Sequence, residues 1–512
     1  MAVSKSTQHQ HPLEITASRE LLSKADVRNI FYGLMLGMFL SAINQTIVAT
    51  ALPTIGRNFG DFESLSWVII SYLLSSTVVS PLYGKLSDIH GRRSMMLIAL
   101  SLFIAGSVGC AVAPNMLSLI LSRALQGVGG GGIVPLTQTT IADMVAPRDR
   151  GRYQAYIGTS WITAGVAGPA LGGLLAEHLH WSLIFWLNVP FGLLALILTY
   201  RSMRRLPRHE RRHQLDIVGA ALMIVAAMLL LIALTSGGTR APWTSPTILL
   251  LASASIGLTM AFIWWLTRAP EPFLPLNVLR NPVMFAGTAG TSCTMGAVIG
   301  LTVYMPLYFQ VVHRLSASDS GFALIPIVVM TTPGSMLSGR SMMHLRRYKS
   351  TAIMGAIIAM ASVSCLVLWP TMPLYGVIIA LTFIGFGAGT VYPVCTVSIQ
   401  NAVAMHHVGT ATGAMNFFRA LASTLAVAVM GAILLAGMGV VPERGIGVEV
   451  LVQAAGAAGL DAAHVFRLVF AAADIFLALA LIAVLLMEER PLRGSAGAVA
   501  TVSPRAPPAP AE

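Results

Sequence analysis

Long apolar runs separated by short polar breaks recur along the whole chain, and few of them show the amphipathic alternation of a helix with one wet face. A helix crossing the hydrocarbon core of a bilayer needs about 20 apolar residues. Fourteen segments of that kind are predicted: 30–53, 66–83, 94–113, 116–142, 156–176, 183–200, 217–236, 247–266, 283–307, 320–339, 351–369, 374–398, 409–437 and 465–487. The breaks between them are short and carry most of the charge. One break is distinctive. The cassette GKLSDIHGRR, Gly84 to Arg93, lies between the second and third runs and is expected to form a tight turn holding Lys85, Asp88, Arg92 and Arg93.

Composition agrees with the pattern. Of 512 residues, 55% are hydrophobic and 10% charged, with a mean hydropathy of +0.76. Soluble domains carry about 25% charged residues, so a soluble globular protein is excluded. The formal net charge of +12 raises the question of nucleic acid, and the placement of the charges answers it. The loops alternate between basic and nearly neutral. One set, including both ends of the chain, holds 25 of the 32 lysines and arginines. The other holds Arg57, Arg240, Arg314, Arg444 and Arg467, while Arg123 and Arg419 lie inside spans. Cytoplasmic loops carry the excess of Lys and Arg. The expected topology is therefore a multi-pass protein of the plasma (cytoplasmic or inner) membrane with both termini cytoplasmic, lipid as its surroundings and no nucleic-acid partner.

The spans contain an internal repeat. At an offset of 258 residues, Gly127, Gly129, Gly131, Pro135, Ile141 and Gly151 meet Gly385, Gly387, Gly389, Pro393, Ile399 and Gly409. Two six-span halves separated by two extra spans produce that offset. The expected fold is an all-α membrane protein of 14 transmembrane helices arranged 6 + 2 + 6. Its parts would be a tail over 1–29, a six-helix bundle over 30–200, a basic linker over 201–216, a two-helix insert and linker over 217–282, a second bundle over 283–487 and a disordered tail over 488–512. Related halves with a substrate path at their interface are a common transporter plan.

Several residues stand out within the spans. Arg123 lies about two turns inside the fourth, where a charge is costly and usually faces the bundle interior or an ion path. In the fifth, Gly165, Gly168, Pro169, Gly172 and Gly173 fall largely on one stripe. Small residues at this spacing allow close helix packing, and Pro169 permits a bend. That stripe reads either as plain packing or as a bending helix between the halves. The Gly127–Gly132 run lacks the Gly-Lys-Ser/Thr ending of a phosphate loop. The four cysteines fit neither a metal site nor a disulfide framework. Within the spans there are no paired carboxylates, metal-spaced histidines or nucleophile–base pairs. No enzyme activity, cofactor or metal is expected.

Taken together, these motifs resemble the Major Facilitator Superfamily, specifically its fourteen-span drug:proton antiporter branch of the QacA/EmrB type. The resemblance rests on INQTIVATALP (Ile43 to Pro53), the cassette, Arg123 with Gln126 and Gly127, the span-five glycines and FWLNVPFG (Phe185 to Gly192). It covers about residues 30 to 490. It implies a secondary transporter exporting drugs or other amphipathic small molecules by alternating access in exchange for protons. It further implies that Gly84, Asp88, Gly91, Arg92 and Arg93 gate the cytoplasmic side, that Arg123 takes part in proton coupling and that the span-five motif marks an antiporter. Members of the branch often work with a periplasmic adaptor.

One departure bears on coupling. Where the family carries an acid in the first span, this chain has Asn44, which cannot titrate. Among the 20 Asp and Glu, Asp474 alone lies well inside a span, and Arg419 is its candidate partner. An alternative function follows: a dedicated metabolite or siderophore exporter, or a facilitator without the usual proton carrier. The second-half counterpart of the cassette, Gly339 to Lys349, keeps Gly339, Arg346 and Arg347 but has Met343 near the place of the acid, so an asymmetric gate is expected.

Overall fold

The computed structural model describes residues 23–61, 64–205, 215–238, 241–345, 347–438 and 462–492. Most of the expected N-terminal tail, residues 206–214 of the basic linker, Arg346 and residues 493–512 lie outside them.

Long helices follow one another in the order α1 (Lys24–Phe59), α2 (Leu65–His90), α3 (Arg92–Ala111), α4 (Met116–Met144), α5 (Pro147–His178) and α6 (Leu183–Ser202). Next come α7 (Ile217–Ser236) and α8 (Pro246–Leu266). The last six are α9 (Pro282–Val311), α10 (Ser318–His344), α11 (Lys349–Leu368), α12 (Leu374–Ala402), α13 (Val408–Gly437) and α14 (Ala462–Leu486). Helix is the form expected here, because every backbone donor and acceptor in lipid must be paired within its own segment. Among the described residues, 13 helices are long and apolar enough to cross a membrane. The remaining one is α5. At 32 residues it is long enough, but it opens on the charged turn PRDRGR and carries the span-five glycines. It packs against α1 on one side and α10 on the other. It completes the expected fourteen.

Polar residues set the helix ends. The side chain of Asn115 accepts from Ser118 N at the start of α4, and that of Asn281 accepts from Val283 N and Met284 N at the start of α9. Such caps satisfy backbone donors that have no partner within the helix. Asp216 caps α7 through Gly219 N and also accepts from Trp265 Nε1 (2.9 Å) and Phe273 N (3.0 Å), so one carboxylate ties both ends of the insert together.

The cassette departs from expectation. Gly84 to His90 form the last two turns of α2, Arg92 opens α3, and only Gly91 breaks the helix. Gly91 has φ +85°, a value that side-chain-bearing residues rarely adopt. The residues before it include no helix breaker, so the helix runs on to the glycine. The same holds at the other basic breaks: Arg148, Arg150 and Arg152 lie in α5, and Arg340 to His344 end α10.

The repeat appears as equivalent packing. On α4, Gly127 and Gly131 lie against the backbone of α2, and Gly129 against α3. On α12, Gly385 and Gly389 lie against the backbone of α10, and Gly387 against α11. Helices α1–α6 pack together, as do α9–α14, and the two groups meet chiefly where α2 crosses α13 and where α10 crosses α5. The insert, α7 with α8, packs through α7 onto α2 and α13. Ala227 and Leu231 there join Leu74, Val78 and Phe417 in one apolar cluster. Polar side chains such as Arg123, Gln126, Asn44 and Gln138 are buried, while Leu249, Leu250, Met260 and Ile263 of α8 are exposed. This inside-out pattern suits a lipid surround.

Candidate functional site

The seam between the two helix groups is tightest at the end that carries the cassette. There α2 lies on the first turn of α13. Gly84 sits so close to Gly409 that a methyl group on either would strike the backbone of the other. Asp88, one turn further along α2, caps α13. Its Oδ1 accepts from Gly409 N (3.1 Å), and its Oδ2 accepts from Thr410 N and Thr410 Oγ1 (2.7 Å each). Helix N-termini favour anions. Arg92 then clasps the acid from behind, with one guanidinium nitrogen 2.6 Å from Asp88 Oδ1 and Nε donating to Asp143 of α4 at 2.8 Å. Asp88, Arg92, Asp143 and Thr410 thus form one charged latch across the seam. Such a latch consists only of ion pairs and hydrogen bonds, so it can part and re-form.

Gly91 and Arg93, two of the expected gate residues, stay outside the latch. Gly91 supplies the turn. Arg93 stacks over the Tyr200 ring of α6, 4.7 Å from its centroid, and so braces its own helix group.

At the second crossing α10 lies on α5 with the same intimacy. Gly339 and Gly151 meet backbone to backbone. Asp149 stands in the first turn of α5, but among the described residues no carboxylate bonds across this crossing. Arg148 Nε donates instead to the carbonyl of Met343, at 2.7 Å. Arg150, which sequence reading did not single out, is buried and caps the end of α4, donating to Val145 O (2.9 Å) and Ala142 O (2.5 Å).

Behind the latch a chain of side chains spans the seam. Gln138 of α4 accepts from Asn416 of α13 (2.8 Å), whose amide oxygen accepts from Arg419 (2.9 Å). Gln400 of α12 donates to Thr412 Oγ1 at 3.3 Å. Gln138, Gln400 and Asn416 were missed in the sequence. Their signal was available, because each is a polar residue inside an apolar run.

Toward the other end, Arg123 is 1% exposed and its partners are all neutral. Nε donates to Val68 O (2.9 Å), a terminal nitrogen donates to Gln126 Oε1 (2.7 Å), and the guanidinium lies 4.4 Å from the centroid of Tyr72. Arg123 has donors only, so it orients the rest. Gln126 Nε2 donates to Ser107 Oγ (2.7 Å) and to Asn44 Oδ1 (3.2 Å), which also accepts from Asn188 Nδ2 (3.2 Å). Asn44 is therefore linked to Arg123 through Gln126. Among the described residues no ion pair reaches Arg123. The sequence placed Arg123 and Gln126 on the fourth span and Asn44 on the first, and the structure brings them together.

It does not bring Asp474 to Arg419. Asp474 is half-buried on α14 and accepts from Ser364 Oγ of α11 at 2.8 Å, whereas Arg419 lies at the seam with Asn416. The span-five glycines also divide. Gly168 and Gly172 face Thr46, Ile47 and Thr50 of α1, within the same helix group. Thr46 Oγ1 donates there to Ala164 O at 2.9 Å. Only Gly165 faces the other group, through Val328, and Gly173 meets nothing. The stripe is mainly an α1–α5 packing surface that Pro169 interrupts. Tyr308 and Met305 lie fully buried in the core of the second group beside Phe466 and Phe470.

A family model described as the Major Facilitator Superfamily matches residues 34–427. The chain is 33% identical over 413 residues to the Multidrug transporter protein MdtP of Bacillus subtilis (strain 168), a match covering 80% of this chain and 75% of that protein. It is 30% identical over 412 residues to the Multidrug resistance protein 3 of the same organism, covering 80% of each. The fold is similar to that of the human organic anion transporter MFSD10 (TETRAN), with a TM-score of 0.59 at 17% identity over 90% of this chain and 99% of that one.

Proposed function

We propose that this chain, which belongs to the Major Facilitator Superfamily and is a membrane transporter, exports amphipathic small molecules of the multidrug type by alternating access, driven by protons. The observation that carries the proposal is the latch. Asp88 and Arg92 join the two helix groups at one end through reversible contacts, as a gate between two rocking halves requires. The relatives named as multidrug transporters supply the substrate class.

In this reading residues 30–200 and 283–487 are the rocking bundles, 217–282 is an insert, and the tails at 1–29 and 488–512 and the linker at 201–216 are cytoplasmic. The excess of Lys and Arg places the cassette end in the cytoplasm. The structure is then the state closed to the cytoplasm. Gly84, Gly91 and Arg93 shape the gate, and Asp88 and Arg92 lock it. Among the described residues Asp474 is the one carboxyl in the middle of a membrane helix, and it is the proposed proton exchanger. Arg123 and Asn44 form a fixed polar support, because neither changes charge in the working range. Arg419 lines the substrate path. Gly165, Gly168, Pro169, Gly172 and Gly173 let α5 bend against α1.

The test is transport into inverted membrane vesicles under an imposed pH gradient, using a cationic dye as substrate. The expected result is uptake that collapses with the gradient and in Asp474→Asn. The second reading, a dedicated exporter or facilitator without that proton carrier, is motivated by Asn44. It predicts transport indifferent to the gradient and to Asp474→Asn.

A further inference from the structure

At the cassette end a groove of about 420 Å³ opens between the last turns of α10 and the first of α11. Arg340 and His344 stand one turn apart on α10, and Ser350 and Thr351 face them from α11. Leu337 and Met354 line the groove on the membrane side, 46% and 59% exposed. Ser341 and Thr351 bond to each other across the gap at 2.5 Å and hold the two helices in register. Neither Arg340 nor His344 forms a hydrogen bond or ion pair with any described residue. The carboxylate of Glu489 accepts from Lys349 N (3.0 Å) at the start of α11. The groove thus presents an uncompensated cation and an imidazole at one level, beside a helix start that Glu489 already caps, with apolar walls one turn deeper.

We propose that this groove binds the phosphodiester headgroup of an anionic phospholipid, with an acyl chain lying along Leu337 and Met354. The arrangement matches the ligand in two parts. Basic pockets between membrane helices bind anionic headgroups, and the exposed apolar side chains of Leu337 and Met354 offer a surface for an acyl chain. A free phosphate would use the polar half and leave the apolar half unfilled. The groove also lies directly behind Gly339, on the face of α10 turned away from Gly151. A bound lipid would buttress the crossing that no described carboxylate bond spans.

The experiment is native mass spectrometry on the purified full-length chain, stripped of lipid and titrated with phosphatidylglycerol, phosphatidylcholine or inorganic phosphate. One phosphatidylglycerol should bind at least tenfold more tightly than phosphatidylcholine. Affinity should fall about fivefold for loss of one cation in Arg340→Gln, fall further in the double variant with His344→Gln, and be retained in Arg340→Lys. Excess inorganic phosphate should not displace the lipid. Arg268→Gln, in another loop at the same end, should bind as wild type. Four results would each overturn the proposal: equal binding of the two lipids, unchanged binding in the double variant, displacement by phosphate, or equal loss in Arg268→Gln. The residues replaced are exposed, and a thermal unfolding curve in detergent confirms that the variants are folded.

Discussion

At the α2–α13 crossing Gly84 lies on Gly409, and at the α10–α5 crossing Gly339 lies on Gly151. The backbones approach alike, as the internal repeat would have it. The chemistry laid over them differs. The first crossing carries Asp88, capping α13 and clasped by Arg92, with Asp143 behind. At the second, Arg148 reaches only a backbone carbonyl. The insert is placed unequally as well, packing on α2 and α13. Steric fit is therefore shared between the crossings, while charge is concentrated in one. A seam built this way can close symmetrically and be unlocked from one side.

The largest expected effect falls on the charged side. Asp88→Asn leaves Arg92 short of its buried partner, and breaking such a pair costs about 3 kcal/mol or more. Vesicle transport should drop over tenfold, and a cysteine introduced at Gln138 should react faster with a thiol reagent applied from the cassette side. A mild phenotype there would remove the asymmetry. The glycines test the shared part. Gly84→Ala and Gly339→Ala should lower stability by similar amounts, about 1–3 kcal/mol each, in thermal unfolding of the purified protein. A large difference between them would mean that the crossings are not sterically equivalent. Thr410→Val removes one bond to Asp88 while keeping the backbone donor. It should cost about 1.5 kcal/mol, visible as a modest fall in transport rate. Smallest of all, Arg148→Gln should change transport within about twofold, because exposed pairings contribute little. Met343→Asp would sharpen the comparison by placing an acid on α10 near the start of α5, in addition to Asp149 of α5 itself, where helix polarity favours it. The closed state should gain stability, read as slower labelling of the same cysteine.

Different parts of this molecule were legible in the sequence to different degrees, and the cassette shows why. Its charges and glycines marked a gate, through the family resemblance, but not the helix start that Asp88 caps. Its shape was misjudged, because a basic stretch looks like a loop, yet nothing before Gly91 stops a helix. The repeat was legible through glycine and proline, which report close backbone approach. The neutral network around Arg123 was half legible. Asn44 and Gln126 were noticed on separate spans, but that they share a bond, together with Asn188 and Ser107, depends on how α1, α3, α4 and α6 are rotated. The pairing considered for Asp474 and Arg419 failed for the same reason. Both are membrane-embedded charges on successive helices, and they face different neighbours.

The amino-acid order alone determined which stretches form long apolar helices and that the two halves of the chain share a pattern of glycine and proline. Hydropathy, charge and backbone propensity act locally, so they can be read along the chain. Which side chains meet was decided by the tertiary structure. Asp88 and Thr410 are 322 positions apart, and their contact exists only because two helices cross at a particular height and rotation. That geometry is set by the packing of every helix between them.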